Sequence, residues 1–241
     1  MSEDIHKAFR IGLASARANV VPMVVLWSLA GALVTGYYTV SGVAEALEPL
    51  KRWQTERGWV ASFLNMFLFC GALPGVFLLV QKSLRVRHPF LMIAVQSVWS
   101  GVCGIVSGWM YDLNAHWFGT GLDFRTLTAK TAVAQFLWTP FFFVPIASLV
   151  YFWIGRDFSI RRCRNEPKAE FLWSNVSSTL IANWAIWIPC TMLVVMLPTA
   201  LQVQVSGIVN AFLFLVQLRI GRCAGTRSMC ERVRIKTTCW H

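Results

Sequence analysis

Charge is what this 241-residue sequence has least of. Asp, Glu, Lys and Arg make up 14% of it against 56% apolar residues, and its mean hydropathy is +0.54. A water-soluble globule needs a charged surface, and a disordered chain needs more charge still, so both classes are excluded. Acidic residues are the scarcest of all, 11 against 22 basic, for a net charge of +11. Neither sign occurs from Ala18 to Ala44, Gly58 to Gln81, His88 to Tyr111, Thr131 to Gly155 or Phe171 to Leu218.

Chemical signatures are missing as well. The seven cysteines form no CxxC pair and no zinc spacing, and there is no GxSxG, HExxH, Walker or dinucleotide motif. No catalytic residue, metal site or cofactor is therefore expected, and the chain is not expected to be an enzyme. No apolar window carries an acidic or basic residue in its middle, which argues against ion-coupled transport. Glu3 and Asp4 weigh against a transit peptide, and no small-residue cleavage site follows a short apolar core, so no removed signal is expected.

What is present is a set of apolar runs of membrane length. A helix crossing the ~30 Å hydrocarbon core needs about 20 such residues. Four of the windows each hold one. The fifth carries Pro189 and Leu197-Pro198 near its middle, which predicts two helices joined by a tight turn. The expectation is an all-α polytopic bundle, a single integral membrane domain over 1–241. Its six apolar helices lie near 20–38, 59–80, 90–111, 131–154, 178–197 and 200–220, the last two forming a proline-containing hairpin. Residues 1–19 read as an amphipathic helix at the headgroup surface, or equally as the solvated start of the first span. Residues 221–241 read as a basic tail.

The connections contain 17 basic residues on the side of the termini and five on the other: Lys51, Arg52, Arg57, Arg125 and Lys130. By the positive-inside rule both termini face the cytoplasm or its equivalent, in a bacterial inner membrane or an organelle membrane. The expected partners are the lipid bilayer and anionic lipids facing the basic loops. Nucleic acid is excluded, because the bilayer separates the basic residues.

Within the spans, Ser100, Gly104 and Gly108 form one small stripe at i, i+4, i+8, and Gly71 and Gly75 another. Such stripes predict close helix packing. Trp53, Trp59, Trp109, Trp117, Trp153 and Trp173 fall at segment ends and read as interfacial anchors. Among the interior amides, Gln135, Asn183 and Gln202 are candidates either for fastening one helix to the next or for lining a polar path.

The run from Lys130 through Gln135 to Pro140 resembles the Lys...Asp-Gln...Pro element of the family of the twenty-two-kilodalton peroxisomal membrane protein, whose mitochondrial inner-membrane member is called Mpv-seventeen. Asn183-Trp184-Ala-Ile-Trp187-Ile-Pro189, followed by Leu197-Pro198, is similar to its Asn-Trp-x-x-Trp-x-Pro block and later proline. Gly108-Trp109 with Leu113-Asn114 is similar to its Gly-x-Trp-Tyr-x-x-Leu-Asp turn. The resemblance covers about residues 95–220. This chain departs from it at Ala134, which replaces the Asp, at Cys103-Gly104 for Gly-Pro, at Thr191 for a Gln and at Leu213-Phe214 for Trp-Asn. The resemblance implies a small mitochondrial or peroxisomal membrane protein with channel-like permeability and no enzymatic activity. The residues themselves leave a second possibility open, a non-conducting scaffold or assembly factor.

Overall fold

The computed structural model describes residues 20–80, 88–154, 156, 158–164, 180 and 183–211. Among them all regular structure is helical. Three helices, Trp59–Phe77, Pro89–Phe118 and Phe124–Ile154, are long and apolar enough to cross a membrane, and a bent pair makes up to four. The amphipathic helix expected for residues 1–19 and the basic tail 221–241 lie outside the described residues.

Helix α1 (Val20–Thr39) is apolar all round and is followed by α2 (Ser41–Arg57), bent away from it by 102°. The charge pattern treats this second stretch, with Lys51, Arg52 and Arg57, as a connection between the first two spans. It is helical, with no buried residue. Lys51 pairs with Glu48 at 3.1 Å on its exposed face. Gln54 donates through Nε2 to Gly58 O at 3.1 Å and to Ser62 Oγ at 2.9 Å, tying its end to the next helix. The reversal itself falls on Gly58, whose φ of 52° favours glycine.

The second apolar run is α3 (Trp59–Met66), a π-helical stretch π1 (Phe67–Ala72), and α4 (Leu73–Val80). Next comes the unbroken helix α5 (Pro89–Phe118), opened by proline at its first position, where the missing N–H costs nothing. It extends beyond the expected end at residue 111, through a last turn that holds the buried Asn114. The fourth run begins earlier than expected, with α6 (Phe124–Ala132). Asp123 caps it by accepting Thr126 N–H at 2.9 Å, and that bond holds the carboxyl below its ordinary range. A long π segment, π2 (Val133–Phe143), leads into α7 (Val144–Ile154) and the short α8 (Ile160–Arg164). Helix α9 (Asn183–Val194) and helix α10 (199–211) are joined by a turn at Leu197-Pro198.

Packing is closest where side chains are smallest. A Cβ added at Gly71 would stand 2.2 Å from Ser97 Cα, one at Gly104 2.2 Å from the Ser62 carbonyl, and one at Gly75 2.6 Å from Ile93 Cγ1. The α3–α4 limb therefore lies antiparallel on α5. Ser97, Gly101, Gly104 and Gly108 of α5 face it, so Ser97 and Gly101 join the contact that the stripe of Ser100, Gly104 and Gly108 marks, and Ser100 is itself buried. Asn65, 3% exposed, donates through Nδ2 to the Val203 carbonyl at 2.9 Å and so binds α10 to α3. Core side chains from α1, α5, α9 and α10, among them Leu26, Met110, Val194 and Leu201, complete the interior.

Candidate functional site

A cavity of about 500 Å³ opens between α3–α4, α5, the π2 run, α9 and α10. Among the described residues, no Asp, Glu, Lys, Arg or His lines it. Its polar groups come in pairs drawn from different helices. Gln135 donates through Nε2 to Thr191 Oγ1 at 2.8 Å, and Gln96 donates to Tyr151 OH at 2.7 Å. Tyr111 OH and Ser206 Oγ share a bond at 3.2 Å. Asn183, Asn210 and Thr139 complete the polar part, and Trp187, Phe143 and Ile93 belong to the apolar part.

Backbone geometry puts Gln135 there. In a π-helix each N–H reaches the carbonyl five residues back, so Pro140, which has no N–H, leaves the Gln135 carbonyl without its helical donor. The indole of Trp184 takes the place of that donor, giving its Nε1–H to Gln135 O at 2.7 Å. Thr139 donates its hydroxyl to Ala134 O at 2.9 Å, again five residues back. The side-chain amide of Gln135, 5% exposed, is turned inward to Thr191, and its Oε1 has no partner among the described residues. Three of the residues singled out by sequence, Gln135, Pro140 and Trp184, thus act at one place.

The others are spread more widely. Asn183 and Trp187 line the cavity. Gln202 does not: its Nε2 donates to the Leu197 carbonyl at 2.8 Å and to the Val195 carbonyl at 3.4 Å, holding the turn before α10. Pro198 begins α10, its carbonyl accepting Leu201 N–H at 2.8 Å. Pro189 lies within α9. Lys130 is 3% exposed near the α6 end of the fourth run, and Trp109 is 62% exposed on the outer face of α5, edge-on to Trp138. Ser100, Gly71 and Gly75 reach the cavity wall as well as the helix contacts.

Tyr111, Tyr151, Thr191 and Ser206 are the cavity residues that sequence reasoning passes over. Both tyrosines sit near the ends of apolar windows, where the pattern favours anchors facing the headgroups. Thr191 carries a signal of its own, since it stands where the resembling family has Gln and is the partner of Gln135 here. Among the described residues no three His, Cys, Asp or Glu side chains gather closely enough to hold a metal ion. No family model, no curated protein and no solved structure matches this chain.

Proposed function

We propose that this chain is a six-pass membrane protein that gives small uncharged polar solutes a path through its central cavity. We propose with it a distant kinship to the family of the twenty-two-kilodalton peroxisomal membrane protein. The observation that carries the reading is a cavity of about 500 Å³ whose lining, among the described residues, has hydrogen-bonding groups and no fixed charge. That volume lies in the range of sites for small molecules. A bare ion inside it would lose its hydration without meeting a countercharge. A neutral solute with O–H or N–H groups exchanges its water bonds for those of Gln135, Thr191, Asn183 and Asn210. The resembling motif supports the same view, since its Gln135 and Asn183 line one space.

Contact directions support six passes. Trp27 on α1 bonds to the Ile186 carbonyl and Tyr38 to the Met196 carbonyl, so α9 runs alongside α1 in the same direction. Asn65 meets Val203 and Cys70 meets Gly207, so α10 runs with α3–α4. Successive limbs then alternate in direction, which agrees with termini on one side of the membrane and with the basic residues gathered there.

Purified protein reconstituted in liposomes is expected to speed glycerol or urea entry, read by light scattering, with little potassium or chloride current. Gln135→Leu should alter that flux while unfolding changes by about 0.6 to 1 kcal/mol, the usual worth of one such bond. Absence of solute entry above protein-free liposomes over a range of pH and voltage overturns the path. The scaffold reading then takes its place, with the basic loops holding anionic lipids.

A further inference from the structure

Soft sulfur ligands gather on one wall of the cavity. Met66 and Cys70 lie one helical turn apart across the start of π1, and their sulfurs stand 3.3 Å from each other. The antiparallel register set by Gly71 against Ser97 and Gly104 against Met66 brings Cys103, the neighbour of Gly104, beside them. Both cysteines and Met66 line the same cavity.

We propose that Met66 Sδ, Cys70 Sγ and Cys103 Sγ form a three-sulfur site for a soft monovalent cation of the copper(I) class. Thiolate and thioether ligands select such ions; thiolates also suit zinc, but a zinc ion takes four ligands, and among the described residues the cavity adds no imidazole or carboxylate to complete that set. Charge balance points the same way. One cysteine bonds to the ion as its proton passes to water and out to the buffer, so one thiolate, one thiol and one thioether around a single positive charge leave the site neutral. Neutrality suits a site within the bilayer. Two sulfurs each about 2.3 Å from one ion stand about 3.8 to 4.0 Å apart, so the 3.3 Å pair needs to open by about half an ångström. The flexible thioether of Met66 and the space of the cavity both allow it. This site does not depend on solute passage.

The test uses the full chain in detergent, without oxygen, titrated with copper(I) against a chromogenic chelator. Wild type is expected to retain one more copper(I) than Cys70→Ser/Cys103→Ser. Met66→Leu should weaken that extra retention by at least about tenfold, the lower bound for disturbing even the surroundings of a metal ligand. A tenfold excess of zinc should not displace it. Equal copper content in wild type and the double variant overturns the proposal. Should the double variant fail to fold, wild type alone decides. Silver(I) is expected to protect Cys70 and Cys103 from alkylation, read peptide by peptide in a mass spectrometer, and unchanged alkylation of both refutes the site.

Discussion

Pro140 cannot donate a hydrogen bond, and that defect is repaired from another helix. The Gln135 carbonyl it leaves free is satisfied by Trp184 at 2.7 Å. Within a bilayer such a carbonyl has no water to turn to. Trp184→Phe keeps an aromatic ring against Phe136, 5.3 Å away between centroids, but removes the donor. It is expected to cost about 1 to 3 kcal/mol, the penalty of an unsatisfied buried acceptor. Pro140→Ala returns a backbone N–H to the run, so in that background the Trp184→Phe cost should shrink by about 1 kcal/mol or more. Unfolding of the four proteins in a detergent series measures the coupling. Strict additivity would mean that the indole and the proline are unrelated. The sequence shows the proline, the amide and the tryptophan as separate motif letters, and their spacing gives no way to see that one serves the others. That connection depends on the π register, which shifts the carbonyl left free by Pro140 from residue 136 to residue 135.

At the scale of helices, small residues decide which faces meet. Gly71→Ala would force a methyl to within 2.2 Å of the Ser97 backbone, and neither helix can give way cheaply. The expected loss is about 1 to 3 kcal/mol of stability by overpacking. Gly104→Leu, against the Ser62 carbonyl, should cost at least as much. Gly31→Ala is the contrasting case, since its added Cβ meets nothing within 4 Å, and it should leave the unfolding midpoint unchanged or raised. Equal behaviour of Gly71→Ala and Gly31→Ala would remove the helix contact from the account. The glycine-rich runs themselves are legible in sequence, because close approach needs small side chains whatever the partner. Which serine completes the row is not. A stripe at i, i+4, i+8 picks Ser100, whereas the facing limb also meets Ser97, opposite Gly71, and Gly101, opposite Phe63. Helix α2 is hidden for a different reason. Gly42 and Pro49 are loop formers by propensity, and the groups that accept the bonds from Gln54 and hold the helix end, Gly58 O and Ser62 Oγ, lie beyond its own sequence.

For the whole molecule, the proposed sidedness rests on charge and on contact direction, two independent observations. Basic residues number 17 on one side and five on the other if every apolar run crosses. Interhelical bonds require α9 to run with α1 and α10 to run with α3–α4, which is the order that six crossings produce. Among the described residues α9 has 12, about 18 Å of rise, less than the hydrocarbon core, so it is the run on which the sixfold crossing most needs a test. Single-cysteine variants at Arg161 and at the native Cys223 should react equally with a membrane-impermeant thiol reagent, and a cysteine at Glu56, on exposed α2, should react only from the opposite side. Were α9 to enter and leave by the same face, Cys223 would label with Glu56 and the basic residues would divide 11 to 11, erasing the charge bias. That outcome would also separate α10 from α3, against the bond from Asn65 to Val203, so the labelling pattern tests the packing as well as the topology.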